Sequence, residues 1–192
     1  MKKFCSIIII SLLLLVISGC GKKDQLSGKH HVEIDVKDYG VIKVELDADE
    51  APITVKNFID LSNSGFYNGL TFHRIIKGFM IQGGSKSGTS SSSGDEKTIK
   101  GEFAKNGVEN DISHVRGVIS MARATAYDSG STQFFIVQED VKNLDGQYAA
   151  FGHVTEGMEV VDKIANEAKP VDNNGTVLKE DQPIINEIKV ID

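Results

Sequence analysis

Apolar and polar residues alternate from residue 31 to residue 46, and this alternation constrains the fold more than any other feature of the chain. A period of two places every second side chain on the same face of a β-strand, so each run predicts a half-buried strand. Tyr39 and Gly40 separate the two runs and predict a turn. The apolar positions of the predicted β-hairpin are Val32, Ile34 and Val36, followed by Ile42, Val44 and Leu46.

Two other segments show helical spacing of their apolar residues. The first begins at Pro52 and stops at Gly65, and the second covers residues 158–168. Short strand-like segments occupy much of the remaining chain and end with residues 184–191. This combination predicts a mainly β fold, a closed antiparallel β-barrel capped by two α-helices.

The first twenty residues have the pattern of an export signal. Lys2 and Lys3 precede an apolar run over residues 4–17, which is too short for a membrane span of about 20 residues. Small residues and then Cys20 follow, as in the lipobox of bacterial lipoproteins, in which this cysteine is acylated and becomes the first mature residue. A plain signal peptide cleaved elsewhere, or a short uncleaved anchor, is the alternative.

The leader predicts three parts in the chain. Residues 1–19 form a lipoprotein signal peptide, residues 20–29 contain the lipidated Cys20 and a short tether, and residues 30–192 form one globular domain. The expected location is extracytoplasmic, with the protein anchored through the lipid on Cys20 to a bacterial cell membrane. Cys5 is the other cysteine of the chain, so the mature domain has no disulfide.

The charge balance excludes some partners. Loss of residues 1–19 removes two lysines and no acid, which moves the formal net charge from −6 to −8. An acidic surface argues against nucleic acid and against electrostatic docking to anionic lipid. The five histidines form no cluster with the spacing of metal ligands, so we expect neither a metal nor another cofactor.

The segment Thr71 to Gly84, TFHRIIKGFMIQGG, places an arginine among residues that favour burial. Read with period two, Phe72, Arg74 and Ile76 share one face of a strand, and His73 lies on the other. The segment GSTQFFIVQ at residues 130–138 adds further aromatic and amide side chains. We expect the two segments to line one cleft, with His73 as a buried, hydrogen-bonded structural residue and not a general base.

Four motifs carry a resemblance to a known family. FHRIIKGFMIQGG is followed by GVISMARA at residues 117–124, by STQFFI, and by NLDGQYAAFGHV at residues 143–154. In this order and spacing they resemble the cyclophilin family of peptidyl-prolyl cis/trans isomerases, over roughly residues 30 to 192. The resemblance implies an eight-stranded barrel with a helix at each end and an enzyme that isomerises Xaa-Pro bonds.

The resemblance also implies roles for residues of the motifs. It assigns catalysis to Arg74, Phe79, Gln82 and Tyr148. It assigns substrate binding to Met80, Ala122, Arg123, Ala124, Gln133, Phe135 and Leu144. Asn143 departs from the family pattern, because many members carry a tryptophan there that donates a hydrogen bond to cyclosporin, so cyclosporin sensitivity is in doubt.

The chemistry of the reaction suits an arginine. Rotation about an Xaa-Pro bond faces a barrier of about 18–20 kcal/mol because the nitrogen lone pair is delocalised into the carbonyl. A guanidinium is always charged and can donate a hydrogen bond to the prolyl nitrogen as this lone pair localises, so Arg74 is the candidate for this step.

Three functional hypotheses follow from these residues. The first is an isomerase that speeds the folding of exported proteins with exposed Xaa-Pro bonds. The second is a module that binds proline segments with little turnover. The third, a solute-binding lipoprotein, is disfavoured because the chain lacks the length for two lobes.

Overall fold

The computed structural model describes residues 25–91 and 96–192. The predicted signal peptide and the lipidation of Cys20 lie outside these residues. Within the described part of the chain, no helix has both the length and the apolar character needed to cross a membrane.

The described residues form eight strands and two α-helices, and the helices and the first hairpin agree with the sequence pattern. The strands are β1 (Lys29–Val36), β2 (Gly40–Asp47), β3 (Phe72–Ile76), β4 (Met80–Gly83), β5 (Val118–Met121), β6 (Phe134–Val137), β7 (Ala150–Glu156) and β8 (Ile185–Val190). The helices are α1 (Pro52–Asn63) and α2 (Met158–Glu167). Three short 3-10 helices cover Ala104–Asn106, Lys142–Leu144 and Lys179–Asp181.

The predicted closed barrel is wrong, because the strands form one curled sheet that stays open between β3 and β8. The order is β3-β4-β6-β5-β7-β2-β1-β8, and every neighbouring pair is antiparallel. The outer edge of β3 is already occupied, since Ile75 donates to the Gly175 carbonyl and Val177 donates to the His73 carbonyl. Only an isolated bridge between Thr71 and Ile184 joins the two ends of the sheet.

The predicted face of β3 also needs a correction. A register shift between Phe72 and Arg74 interrupts the strict alternation, because a bulge places an extra residue in one strand. Phe72 therefore packs with Ile75 in the main core, while Ile76 packs against a second cluster that contains Met80. The bulge points Arg74 away from Phe72 and towards the cleft.

The main core lies between the sheet and α1. Phe58 of α1 contacts three aromatic rings with centroid separations of 5.2 to 5.3 Å, those of Tyr67, Phe134 and Phe151. The N-terminus of α1 has no local side-chain cap. The buried Glu102 carboxylate replaces it by accepting hydrogen bonds from the Ile53 and Thr54 amides, at 3.0 and 2.8 Å.

Candidate active site

Two adjoining cavities lie where β3, β4 and β6 meet the loops around residues 122–124 and 144–148. The first has a volume of about 220 Å³, and the second about 110 Å³. The first is lined by Arg74, Phe79, Met80, Gln82, Ser90, Ala122, Arg123, Phe135, Leu144, Tyr148 and Asn174. The second shares Gln82, Ser90, Ala122 and Arg123 and adds Ala124, Ser129, Ser131 and Gln133. The fold thus brings all eleven residues of the predicted site together.

Arg74 is fixed at the wall of the first cavity. Its Nε donates to the Asn174 carbonyl at 2.8 Å, and its Nη1 donates to Gln82 Oε1 at 3.2 Å. Nη1 also lies 3.7 Å from Met80 Sδ, and Phe79 presents its ring 6.0 Å from the guanidinium carbon. Partial burial lowers the pKa of Arg74 below its ordinary value, yet an arginine stays charged at neutral pH.

An amide relay connects the two cavities. Gln82 faces Arg74 from the neighbouring strand, opposite it in the β3–β4 register. Gln82 Nε2 donates to Gln133 Oε1 at 3.0 Å. Because Arg74 can only donate, the two amides are ordered in one direction, away from the guanidinium.

The floor of the first cavity is apolar. Met80 and Phe135 are buried, and Phe79 and Leu144 pack beside them in the second cluster. The Tyr148 ring meets the Phe135 ring edge-on, with centroids 5.8 Å apart. A compact apolar group such as a five-membered ring can bury its surface here while Arg74 lies within reach.

The family of the chain follows from a direct match. The model of the cyclophilin type peptidyl-prolyl cis-trans isomerase family matches residues 31–190. The chain belongs to the cyclophilin family. Because the family and its curated relatives share one activity, this cyclophilin is a peptidyl-prolyl cis-trans isomerase.

Individual relatives agree with this assignment. Peptidyl-prolyl cis-trans isomerase A of Dickeya dadantii is 50% identical over 131 residues, which cover 66% of each chain. Peptidyl-prolyl cis-trans isomerase B of Bacillus subtilis is 43% identical over 145 residues, 76% of this chain and 92% of the relative. A crystal structure of a Cryptosporidium parvum cyclophilin matches with a TM-score of 0.74 and 31% identity, covering 86% of this chain and 99% of that one.

His73 of this cyclophilin is buried, as expected, and does not line either cavity. Burial lowers its pKa to about 4, although the Thr71 carbonyl and the Gln133 side chain oppose the shift. Neither ring nitrogen has a partner in hydrogen-bond geometry among residues 25–91 and 96–192. The expected hydrogen bond of His73 is therefore not observed, and its neutral ring lies outside the cleft.

Sequence reasoning missed several residues that shape the site of this cyclophilin. Asn174, read from the sequence as part of a turn, supplies the carbonyl that holds Arg74, one hundred positions away in the chain. The buried His114 stacks beneath Phe135 with ring centroids 6.1 Å apart, and Asp145 accepts from the His114 amide at 2.7 Å. The local periodicity of apolar residues does not indicate such contacts, because each contact joins segments that lie far apart in the sequence.

The described part of the cyclophilin chain contains no candidate metal site. No group of three or more His, Cys, Asp or Glu side chains in residues 25–91 and 96–192 is arranged to hold a metal ion.

Proposed function

We propose that this cyclophilin isomerises Xaa-Pro bonds of exported proteins, with Arg74 stabilising the twisted amide. One observation carries the proposal: a guanidinium is held by Asn174 and Gln82 at the wall of a cavity with an apolar floor. Nη2 of Arg74 makes no hydrogen bond with any described residue and stays available to a substrate.

The mechanism needs no covalent step. As the Xaa-Pro bond twists, the lone pair localises on the prolyl nitrogen, and Arg74 donates a hydrogen bond to it. The interaction is absent in both planar isomers, because there the lone pair is delocalised, so it lowers the barrier without trapping either ground state. If the site as a whole supplies about 5–7 kcal/mol, the rate rises by roughly four to five orders of magnitude, and Arg74 provides one part of this.

Other residues of the first cavity orient the substrate. Met80, Phe135 and Leu144 provide an apolar seat for the proline ring. The Tyr148 hydroxyl is a donor for the carbonyl that precedes proline, and Gln82 keeps Arg74 in place. A second C. parvum cyclophilin structure, 31% identical to this chain, was solved in the presence of the dipeptide Ala-Pro, which supports a proline-containing ligand.

Substitution of Arg74 tests the catalytic role. We expect Arg74→Ala to lower kcat/KM for an Ala-Pro peptide by about a hundredfold or more, because one preorganised donor is lost. Arg74→Lys keeps the charge and loses the planar fork, so it should restore only a small part of the activity. Two-dimensional NMR exchange on the full chain in detergent measures both, and wild-type exchange rates in Arg74→Ala would refute the mechanism.

The same experiment separates the enzyme from the alternative binding module. If the peptide binds to the wild-type protein without acceleration of exchange, the cleft recognises proline segments and does not turn them over. No contact in the cleft favours the binding module over the enzyme, because the residues that would bind a proline also surround Arg74.

Anchoring through Cys20 completes the proposal. The folded body already includes Leu26, which packs against the main core, and Gly28, whose carbonyl accepts from the Ala48 amide at 2.9 Å. These contacts lie within the tether proposed for residues 20–29 and support a short connection between Cys20 and the domain proposed for residues 30–192. An acylated cysteine so close to the fold would keep the isomerase at the membrane surface, where exported chains emerge.

Substitution of Cys20 tests the location. We expect Cys20→Ser to abolish lipidation and to shift the protein from the membrane fraction to the soluble fraction, or to leave it unprocessed. Labelling with a radioactive fatty acid and membrane fractionation measure this, and Cys5→Ser is the matched control. Wild-type labelling and retention of Cys20→Ser would point instead to an uncleaved anchor.

A further inference from the structure

We propose that the second cavity selects substrates with an acidic side chain two residues before the proline. The proposal rests on the proposed function, because it takes the first cavity as the seat of the proline ring. The preferred substrate class is a segment of the form Glu-Xaa-Pro or Asp-Xaa-Pro, where Xaa is any residue.

The charge around the two cavities differs from the charge of the whole chain. The sequence has 27 acidic residues against 21 lysines and arginines. Among residues 25–91 and 96–192, however, the cavity linings contain Arg74 and Arg123 and no aspartate or glutamate. A cleft lined by one sign of charge concentrates the field and attracts the opposite charge, so the cleft favours anionic groups.

The amide relay leaves hydrogen-bond donors at the second cavity. Arg74 cannot accept a hydrogen bond, so the oxygen of Gln82 must face it and the nitrogen of Gln82 must face Gln133. The Gln133 oxygen is then occupied, and its NH₂ group makes a long, 3.5 Å contact to the Ser91 carbonyl. The second cavity therefore presents the amide of Gln133 as a donor.

Arg123 lines both cavities and adds a fixed positive charge to them. Its Nε donates to the Gln147 carbonyl at 2.9 Å, and its Nη1 donates to the Ala124 carbonyl at 2.9 Å. The guanidinium carbon also lies 4.6 Å from the centre of the Tyr148 ring, 5.1 Å from that of Phe103 and 5.3 Å from that of Tyr127, so three rings restrain it further. Nη2 makes no hydrogen bond with any described residue, so a preorganised donor with full charge remains for a ligand.

The geometry of an extended peptide gives the substrate position. Side chains of an extended chain alternate between two sides, so the residue two before proline points to the same side as the proline ring. The second cavity adjoins the first and shares four lining residues with it. Its volume of about 110 Å³ equals roughly four water molecules, enough for one side chain of moderate size.

Three peptides test the proposal. They are identical Ala-Pro peptides with Glu, Gln or Lys two residues before the proline, assayed by NMR exchange with the full chain in detergent. We expect kcat/KM to be about threefold to tenfold higher for Glu than for Gln, and lowest for Lys, since a charge-assisted hydrogen bond is gained or a repulsion added. The differences should shrink at 1 M salt, where screening is strong.

Two variants test the residues assigned to the selection. Arg123→Gln should bring the ratio of kcat/KM for Glu to that for Gln close to one. Gln133→Glu keeps an acceptor for Gln82 and adds a carboxylate at the cavity, so it should reverse the preference towards Lys. The matched control is Lys37→Gln, because Lys37 is exposed and lines neither cavity. This substitution changes the net charge of the protein by the same amount as Arg123→Gln.

The outcomes separate this inference from the proposed function. Equal kcat/KM for the three peptides overturns the inference and leaves the isomerase intact. A preference for Glu only one or three residues before proline overturns the assignment of the second cavity. An unchanged preference in both Arg123→Gln and Gln133→Glu, each shown to be folded by circular dichroism, overturns the assigned residues. Lack of turnover for every peptide removes the proposed function as well.

Discussion

At the scale of single residues, His73 shows how burial fixes a charge state next to the site. The imidazole lies beside Arg74 in β3 with only 1% of its surface exposed, and burial lowers its pKa to about 4. The imidazole is therefore uncharged near pH 7. Among the described residues, neither cavity is lined by a histidine, cysteine, aspartate or glutamate.

Stability and activity should consequently depend on pH in different ways. The unfolded chain protonates His73 near pH 6.5, whereas the folded protein resists this until about pH 4. Because the unfolded state binds this proton more readily, the contribution of His73 to the free energy of unfolding is complete above pH 6.5. It falls by about 3 kcal/mol as the pH drops to 4. Urea unfolding between pH 7 and 4 measures this, and in His73→Leu the free energy of unfolding should depend less steeply on pH.

Activity should stay nearly constant from pH 6 to 8, because no group that titrates in this range is required. A loss of activity that follows protonation of His73 would contradict this account.

At the scale of elements, the segment that follows α2 holds the site together. Gly175 has a φ of +83°, and its carbonyl accepts from the Ile75 amide at 2.8 Å. A Cβ at this position would lie 2.5 Å from Ile76 Cγ1 and 2.6 Å from the Ile75 carbonyl oxygen. The backbone therefore passes too close to β3 for any side chain, and this close approach places Asn174 against Arg74.

We expect Gly175→Ala to push this segment away from β3 and to release the Arg74 side chain. The clash and the left-handed backbone should together cost about 2–4 kcal/mol in the free energy of unfolding, and kcat/KM should fall about tenfold or more. Gly107→Ala is the matched control, because Gly107 has a φ of +73° and a Cβ added there would meet no atom within 4 Å. It should cost only about 1–2 kcal/mol and leave kcat/KM unchanged. Equal losses of activity in the two variants would contradict the role of Gly175.

The elements also show where sequence reasoning succeeds and where it stops. The hairpin of β1 and β2 and the two helices could be predicted because their periods are local properties of the chain. The open sheet could not, since residues 174–177 occupy the outer edge of β3 from far along the chain. The cap of α1 by Glu102 is hidden for the same reason: it joins residues 48 positions apart. The bulge at His73 places Arg74 on a different face from Phe72, and no residue type in the segment indicates it.

At the scale of the whole molecule, the least stable part of the sheet should be the place where its two ends, β3 and β8, meet at the bridge between Thr71 and Ile184. We call this place the seam. No ladder joins β3 to β8, and the seam depends on hydrogen bonds such as that from the Phe72 amide to the Pro183 carbonyl, at 2.9 Å. The buried Gln182 strengthens it, because its Nε2 donates to the Val177 carbonyl at 2.8 Å and to the Gly88 carbonyl at 3.0 Å. Its Oε1 also accepts from the Thr71 hydroxyl, so one side chain joins three segments of the chain.

Removal of that amide should open the seam without unfolding the rest. In Gln182→Ala the carbonyls of Val177 and Gly88 lose their donor, which costs about 1–3 kcal/mol where the group stays buried. We expect the amides of Phe72 and Ile185 to exchange with deuterium about tenfold faster or more, since local opening then needs less free energy. Amides of the β1–β2 ladder serve as the internal control and should keep their protection. If both sets accelerate equally, the sheet unfolds as one unit and the seam has no independent stability; if neither changes, Gln182 does not fasten it.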